Sequence, residues 1–364
     1  DFEILSDSSH GVSEIADTAG VILFRTRGGE VWSYGDDWEE KEKENFQFTK
    51  LLVSVPITQI ACEEHQGALL DYYGYIWAIG NWNQSNQLGS DLPGSTLTQP
   101  KKLHGLPIIT HIACCTYIYG VSTDGTVWDH TCTKRTDIAN AAQVYCGKNA
   151  TFVVSTNKEL WVISDSSLVF SIFARYVNKK KDKAVKLPIS DVKSVACGEH
   201  HYLFLNEEGH VYALGRNTFG QLGILESSQE VTEITMIPNL PPIDYIACHK
   251  NHSLCLDRMG RVWAFGLNNF GQLGVPRETK YSAQPLVMEF PPVSLVSRGF
   301  SNRTIVSDLN GVIWMCGRHS MLKQENVPVK LSLEEFQITD APLEYSSALE
   351  EQEANCVSYV SDEL

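Results

Sequence analysis

The chain repeats one strand-rich unit along almost its whole length. In most copies a short apolar segment leads into a tight turn. A glycine then stands three residues before a Trp or Tyr, and an apolar residue stands directly before that aromatic residue. The aromatic residue recurs at Trp32, Trp77, Trp128, Trp161, Tyr212, Trp263 and Trp314, and from Trp161 onward the interval is 51 residues. A fixed period of this size, built from short strands, indicates a propeller or another stacked array.

The clearest copy is VKSVACGEHHYLFLNEEGHVYALGRNTFGQLG, residues 192–223, and residues 245–274 repeat it. Three strands are predicted in the first copy, at 192–197, 201–206 and 210–215, with turns near Gly198 and Gly209. A later segment marked by Pro238 or Pro285 supplies a fourth strand. Four antiparallel strands cannot bury both faces alone, whereas seven such units arranged radially can. The sequence therefore predicts an all-β fold, a seven-bladed β-propeller of four-stranded blades.

Closure of such a ring requires its two ends to meet. The first unit begins near Val12, and the last candidate strand is Val327 to Leu333. We expect this C-terminal strand to join the blade begun by residues 12–16, so that N- and C-terminal strands close the ring. The propeller then occupies residues 1–333, and an acidic C-terminal tail occupies residues 334–364.

Charge argues against two classes of ligand. The net charge is -15, and the tail from Glu334 contributes nine acidic residues and no Lys or Arg. A protein with this charge repels nucleic-acid phosphates and anionic lipid, so neither direct nucleic-acid binding nor membrane insertion is expected. No apolar run approaches the ~20 residues of a membrane span.

The cysteines favour a reducing compartment. Cys62, Cys146, Cys197 and Cys248 recur in one sequence context, which is typical of a packing position rather than of a cross-link. With no basic and apolar leader visible, a cytoplasmic protein is expected. Two alternatives stay open: the ending Ser-Asp-Glu-Leu resembles a retrieval sequence of the endoplasmic reticulum, and the glutamate-rich tail resembles the export signal of bacterial type IV effectors. The second alternative would place the protein in a host cytosol.

The segments GRNTFGQLG (215–223), GLNNFGQLG (266–274) and GNWNQSNQLG (80–89) resemble the repeat of the regulator of chromosome condensation family. The resemblance covers about residues 12–333. Kelch repeats would instead show paired glycines, and WD repeats a Trp-Asp dipeptide in each blade.

The resemblance implies a seven-bladed interaction platform. The founding member of the family is a nucleotide exchange factor for a small GTPase of the Ras superfamily, and other members are scaffolds. The founding member binds chromatin through a basic tail, whereas the present tail is acidic. A photoreceptor of this family would need a repeated G-W-R-H-T motif, which this sequence lacks.

The same resemblance directs attention to the turns after the first strand of each blade, which emerge together around the central channel. Partner contacts are predicted for Glu199, His200, His65, Glu64, Asn251 and His252. Further turn residues at this mouth are Lys148, Lys250 and Phe300. The histidines have a second interpretation, in which they cap turns by hydrogen bonds to the backbone.

Residues 167–183, SLVFSIFARYVNKKKDK, depart from the repeat. In the exchange-factor hypothesis, residues 167–178, which include Leu168 and Phe170, form an exposed apolar wedge against the nucleotide site of the GTPase. In the alternative, residues 168–177 form an ordinary blade strand and the lysines a solvated turn.

Motifs for covalent chemistry are absent from the sequence, and no cofactor is expected. Cys248, His249, His252 and Cys255 have the composition of a metal site, but strand alternation separates the two cysteines and paired CxxC spacing is missing. The sequence thus predicts a monomeric protein-binding propeller that acts as a guanine nucleotide exchange factor on a small GTPase. The alternative is a scaffold that binds another protein without affecting nucleotide exchange.

Overall fold

Every element of secondary structure among the described residues is a short β-strand. The computed structural model describes residues 11–18, 20–35, 47–63, 65–80, 96–134, 138, 140–148, 150–163, 173, 176, 184–225, 229–318 and 325–330. These residues form seven antiparallel sheets, which we number as blades 1 to 7 in chain order.

The strands of the first four blades are as follows. Blade 1 contains β1 (Val12–Asp17), β2 (Val21–Thr26), β3 (Val31–Gly35) and β4 (Gln47–Lys50). Blade 2 contains β5 (Ile57–Glu63), β6 (Gln66–Asp71), β7 (Ile76–Gly80) and β8 (Leu97–Lys102). Blade 3 contains β9 (Ile109–Cys114), β10 (Ile118–Ser122) and β11 (Val127–Asp129), and blade 4 contains β12 (Ala141–Cys146), β13 (Thr151–Ser155), β14 (Leu160–Ile163) and β15 (Ala184–Lys186).

The last three blades complete the ring. Blade 5 contains β16 (Val192–Cys197), β17 (His201–Asn206), β18 (Val211–Arg216) and β19 (Glu230–Met236). Blade 6 contains β20 (Ile243–Cys248), β21 (His252–Asp257), β22 (Val262–Leu267) and β23 (Tyr281–Val287). Blade 7 contains β24 (Val293–Val296), β26 (Arg303–Asp308), β27 (Ile313–Gly317) and β28 (Glu325–Lys330), and the short β25 (Arg298–Gly299) prolongs β24.

The predicted seven-bladed, all-β propeller is confirmed. Blade 3 is the exception to four strands, because among its described residues only an isolated bridge between Trp128 and Lys134 stands where a fourth strand would pair. The first strands of the blades face the axis and line a central cavity of about 170 Å³.

Seven apolar clusters, each shared by two neighbouring blades, form the core. The second strands of blades 2 to 7 are buried over their whole length, as in His201–Asn206, because both faces of a blade pack against neighbours. Six of the seven repeated aromatic residues pack in these clusters, and Trp263 Nε1 also donates to Asp257 Oδ2 at 3.0 Å. The cluster that joins Ile305 and Met315 to Ile15 and Phe24 closes the ring.

The first and last blades do join, but not through the strand that the sequence suggested. The predicted segment Val327–Leu333 overlaps β28, which pairs with β27 inside blade 7. The seam is instead a parallel pairing of β1 with β25, in which Ala16 lies opposite Arg298. The expectation that the C-terminal strand joins blade 1 is therefore wrong, because that strand completes its own blade. The acidic tail lies outside the described residues.

Between blades 5, 6 and 7 a buried hydrogen-bond chain repeats. His201 Nε2 lies 2.9 Å from Ser253 Oγ, and Ser253 Oγ donates to the carbonyl of Gln221 at 2.7 Å. The next interface has the same arrangement, which links His252 Nε2 to Thr304 Oγ1 at 3.1 Å and Thr304 Oγ1 to the carbonyl of Gln272 at 2.8 Å. Each hydroxyl has a single proton, so the imidazole Nε2 must be the donor to it.

At the seam an ion pair takes the place of this chain. Arg303 occupies the histidine position in blade 7, and its Nη2 lies 2.7 Å from Asp17 Oδ1, with both side chains buried. Arg303 Nη2 also donates to the carbonyl of Thr18 at 2.9 Å, and Ser301 Oγ donates to Asp17. A buried charge that loses its partner is strongly destabilising.

This seam predicts the outcome of a substitution. Asp17→Ala leaves Arg303 buried without its carboxylate, so the free energy of unfolding should fall by about 3–5 kcal/mol. Urea unfolding followed by tryptophan fluorescence measures the change. The control is Glu159→Ala, which breaks the exposed pair of Lys186 and Glu159 and should cost less than about 1 kcal/mol. Equal effects of the two substitutions would contradict the role given to the seam.

Candidate partner-binding face

The turns between first and second strands lie at one end of the ring, which we call the turn face. In five of the seven blades a glycine with positive φ at or next to the end of the third strand positions these turns. Gly215 has a φ of +111°, and a Cβ there would lie 2.5 Å from the carbonyl oxygen of His200. The close approach lets the backbone N–H of Arg216 donate to that carbonyl at 2.8 Å. The turn carrying His200 is thereby fixed to the end of β18.

Backbone hydrogen bonds also join the turns of neighbouring blades. The N–H of Glu199 donates to the carbonyl of Lys250 at 3.2 Å, and the N–H of Lys250 donates to the carbonyl of Ser301 at 3.3 Å. At the seam the N–H of Phe300 donates to the carbonyl of Asp17 at 2.8 Å. The turn face from blade 5 to blade 1 is therefore one connected surface.

Charged and aromatic side chains meet where this surface surrounds the channel. Lys148 Nζ lies 3.4 Å from Glu199 Oε1. Lys148 Nζ and Lys250 Nζ lie 6.0 and 5.6 Å from the ring centroid of Phe300, within cation–π range. Glu199 is therefore held in place by a neighbouring lysine and by its own backbone.

His200 is a neutral imidazole at neutral pH. Partial burial, and then the guanidinium of Arg216, lower the pKa of His200 from its ordinary value. A neutral imidazole beside a carboxylate offers a partner one donor, one acceptor and one negative charge. Glu199 and His200 lie side by side in the turn between β16 and β17, and their contact with a partner stays a prediction.

The other predicted contacts have different positions. His65 and Asn251 are half-buried in the corresponding turns of blades 2 and 6, and the carbonyl of Asn251 accepts from the N–H of Leu267 at 2.9 Å. His252 is wholly buried in the hydrogen-bond chain to Thr304, so it neither caps its turn nor faces a partner. The alternation of β21 turns its side chain into the blade interface. Glu64, Leu168 and Phe170 lie outside the described residues.

Two residues of the predicted wedge segment are described, and both are docked. Phe173 is buried against Phe152 and Tyr202, with ring centroids 5.7 Å from each. Tyr176 Oη accepts a hydrogen bond from the N–H of Ile234 at 3.1 Å. This part of residues 167–183 packs against blades 4 and 5.

The repeat motif itself has a structural role that sequence reasoning missed. In GRNTFGQLG, Asn217 Oδ1 accepts from the N–H of Leu222 at 3.1 Å, and Gln221 Oε1 accepts from the N–H of Phe219 at 2.9 Å. The folded loop then presents the Gln221 carbonyl to Ser253 of the next blade. The signal that would have revealed it is the hydroxyl residue that follows each motif in the next repeat, Ser253 after Gln221 and Thr304 after Gln272.

The described residues contain no group of three or more His, Cys, Asp or Glu arranged to hold a metal ion. All nine described cysteines are free, and burial raises the pKa of the Cys248 thiol to about 12. Within the same residues there is no helix long and apolar enough to cross a membrane.

Comparison with known proteins places this geometry in context. Two profiles of the regulator of chromosome condensation (RCC1) repeat match, one over residues 192–221 and 243–272 and the other over residues 208–256 and 259–301. Human Regulator of chromosome condensation is 30% identical over 125 residues, which are 34% of this chain and 27% of the human protein. Guanine nucleotide exchange factor SRM1 of Saccharomyces cerevisiae is 30% identical over 155 residues, 38% of this chain and 31% of the yeast protein. Protein RCC2 homolog of Xenopus laevis is 38% identical over 96 residues, 26% of this chain and 19% of the frog protein. The matched regions span less than a third of each of these relatives.

Solved structures agree on the fold. Prp20p from Saccharomyces cerevisiae, a protein studied for binding to Gsp1p and histones, superposes with a TM-score of 0.54 over 90% of this chain and 78% of its own, at 17% identity. Human WBSCR16 superposes with a TM-score of 0.51 over 85% of this chain and 81% of its own, also at 17% identity.

The buried histidines predict how stability depends on pH. In an unfolded chain the histidine pKa is about 6.5, whereas burial lowers the pKa of His201 to about 3 and that of His252 well below its ordinary value. The unfolded state then binds more protons, so stability is complete above pH 6.5 and is lost as pH falls from 6.5 toward 3. The expected slope is about 1.4 kcal/mol per pH unit for each proton taken up on unfolding.

Urea unfolding between pH 7 and pH 5 measures this slope. The double variant His201→Gln with His252→Gln keeps an N–H donor at each position but has no ring to protonate, so its stability should vary less with pH. His210→Gln is the control, since that side chain is half exposed at the opposite end of the blade and should leave the slope unchanged. A double variant with the wild-type slope would show that these rings do not titrate on unfolding.

Proposed function

Because the chain belongs to the regulator of chromosome condensation repeat family, we propose that it binds a Ras-superfamily small GTPase through its turn face and acts as a guanine nucleotide exchange factor. The observation that carries this proposal is the adjacent pair Glu199 and His200 at the mouth of a connected turn face. The match to a yeast protein named as an exchange factor supports it. The study of Prp20p with Gsp1p, on the same fold, supports a protein partner of this class.

The geometry suits this activity because exchange needs no covalent step. An exchange factor binds the nucleotide-free GTPase more tightly than the nucleotide-bound form, and by linkage it lowers the affinity of the GTPase for nucleotide by the same factor. A rigid surface limits the entropy lost on binding. The backbone bonds from Glu199 to Lys250 and from Lys250 to Ser301 give the turn face that rigidity.

The side chains supply specific contacts. The Glu199 carboxylate can pair with a basic group of the partner or compete for groups that hold nucleotide phosphate and magnesium. The neutral His200 adds a donor or acceptor beside it. These two residues are the contacts for which the structure offers a defined geometry.

The scaffold function is the second candidate. The docked positions of Phe173 and Tyr176 favour it, because a wedge needs an exposed apolar segment. The named RCC2 relative matches at 38% identity and carries no exchange activity in its name. A scaffold would use the same turn face without changing nucleotide release.

For the compartment we propose the cytosol, which the free cysteines support. The relatives named above come from human, frog and yeast and lend no support to a bacterial effector.

Release of fluorescent GDP from a panel of small GTPases tests the exchange proposal. We expect catalytic amounts of the protein to accelerate release from one member. The double variant Glu199→Ala with His200→Ala should reduce this acceleration about tenfold or more, since truncated central contacts commonly cost 2 kcal/mol or above.

The matched control is Glu208→Ala with His210→Ala. These residues form an exposed pair, His210 Nδ1 to Glu208 Oε2 at 3.1 Å, at the opposite end of the same strands. The control should retain wild-type exchange. If no GTPase in the panel releases GDP faster, the exchange proposal fails, and partner capture with the same two variants tests the scaffold.

A further inference from the structure

A second cavity opens at the other end of the ring, which carries the turns between second and third strands and which we call the hairpin face. This cavity of about 450 Å³ lies between blades 1, 6 and 7, within the size range of small-molecule sites. Its apolar lining consists of Ile15, Leu256, Val293, Leu295 and Val296. Met259 and Leu309 stand at its rim and are 73% and 69% exposed.

One guanidinium connects this cavity with the axis of the propeller. The register places Arg298 of blade 7 where Cys248 stands in blade 6. Arg298 lines both the central cavity and the cavity of the hairpin face. Its Nη2 donates to Glu14 Oε1 at 2.5 Å, whereas its buried Nε has no acceptor among the described residues. Tyr245, and then Glu14, raise the pKa of Arg298, so the group is charged at every relevant pH.

The carboxylates that line the cavity are already neutralised. Glu14 is shared between Arg25, at 3.0 Å, and Arg298. Asp244 is shared between Lys193, at 3.7 Å, and Arg258, at 3.5 Å. Asp257 pairs with Arg261 at 2.7 Å. Five cations therefore surround three carboxylates, in a protein whose net charge is -15.

We propose that this cavity binds a small monocarboxylate with an apolar body. The carboxylate accepts hydrogen bonds from the accessible terminal N–H groups of Arg298, whose side chain is 38% exposed and whose planar guanidinium suits two oxygens of one group. The body lies along Val293 and Leu295 and leaves between Met259 and Leu309. The apolar walls disfavour a multiply charged phosphate, which would lose its hydration without enough donors.

The geometry also specifies which ligand features matter. Arg298 recognises the charge of the ligand at the axis. The cavity walls contact its apolar body between the axis and the surface. A ligand that lacks either feature loses one set of contacts. The site lies on the face opposite to Glu199 and His200, so it does not depend on exchange activity.

Isothermal titration with octanoate, below its micellar concentration, tests the proposal on the full chain. Acetate lacks the apolar body, and octan-1-ol lacks the charge. We expect one saturable site for octanoate, with the Kd of acetate and that of octan-1-ol each at least tenfold higher. Octan-1-ol binding as well as octanoate, or no saturable octanoate binding, would overturn the proposal.

Three variants assign the binding to this cavity. Leu295→Trp fills it and should abolish octanoate binding, and Arg298→Gln should raise the Kd at least tenfold. Arg318→Gln removes one arginine charge on the turn face, where Arg318 lies over Phe270, and should leave the Kd unchanged. If Arg298→Gln fails to fold, Leu295→Trp decides, because it keeps the guanidinium and its partner Glu14. Octanoate binding that survives in a folded Leu295→Trp variant would place the ligand elsewhere and refute the assignment.

Discussion

Buried hydrogen bonds between neighbouring blades are the constraint on which the rest of this propeller depends. Each blade is a small twisted sheet that cannot bury both of its faces alone. Apolar clusters supply the area, but they do not fix how one blade is rotated against the next. The hydrogen-bond chain from His201 through Ser253 to the Gln221 carbonyl fixes this rotation, because all three groups are buried and each would be costly to leave unpaired. The turn face inherits its geometry from this alignment.

The two ends of the ring differ in what holds and lines their surfaces. At the turn face, backbone bonds connect consecutive turns, and the side chains of Glu199 and His200 stand on a surface with little freedom to move. At the hairpin face, apolar side chains and paired charges surround an open cavity. One end is thus suited to a large, shape-matched partner and the other to a small molecule, and the strands between them separate the two by the height of a blade.

Much of the fold was predictable from the sequence. The 51-residue period and the glycines at the hairpin turns specify the blades, because few residues other than glycine adopt the positive φ seen at Gly209 and Gly260. Which strand closes the ring was not predictable. Residues 327–333 have the pattern of an outer strand, and such a pattern does not say which blade the strand completes. The parallel contact of β1 with β25 involves only two residue pairs, too few for a periodic signal.

The residues of the candidate site were predictable only in part. Glu199 and His200 lie in a turn, where position in the repeat determines exposure. His252 is the first residue of β21, a strand that is buried along its whole length, so its side chain packs between blades. The sequence pattern did not show whether this residue ends the turn or begins the strand. Arg298 could have been singled out in the sequence, since it stands where other repeats have a cysteine. Its ion pair could not have been predicted, because its partner Glu14 lies far away in sequence.

The arginine at this repeated cysteine position has a consequence for what such a ring can bind along its axis. Seven equal repeats produce an axis on which every direction is equivalent, so nothing bound there could be oriented. Arg298 of blade 7, beside Glu14 of blade 1, gives the axis a direction at the cost of altering one repeat and its neighbour. Because Arg298 lines the central cavity and its carboxylate partner belongs to the neighbouring blade, the electrostatic character of the axis depends on these two positions together.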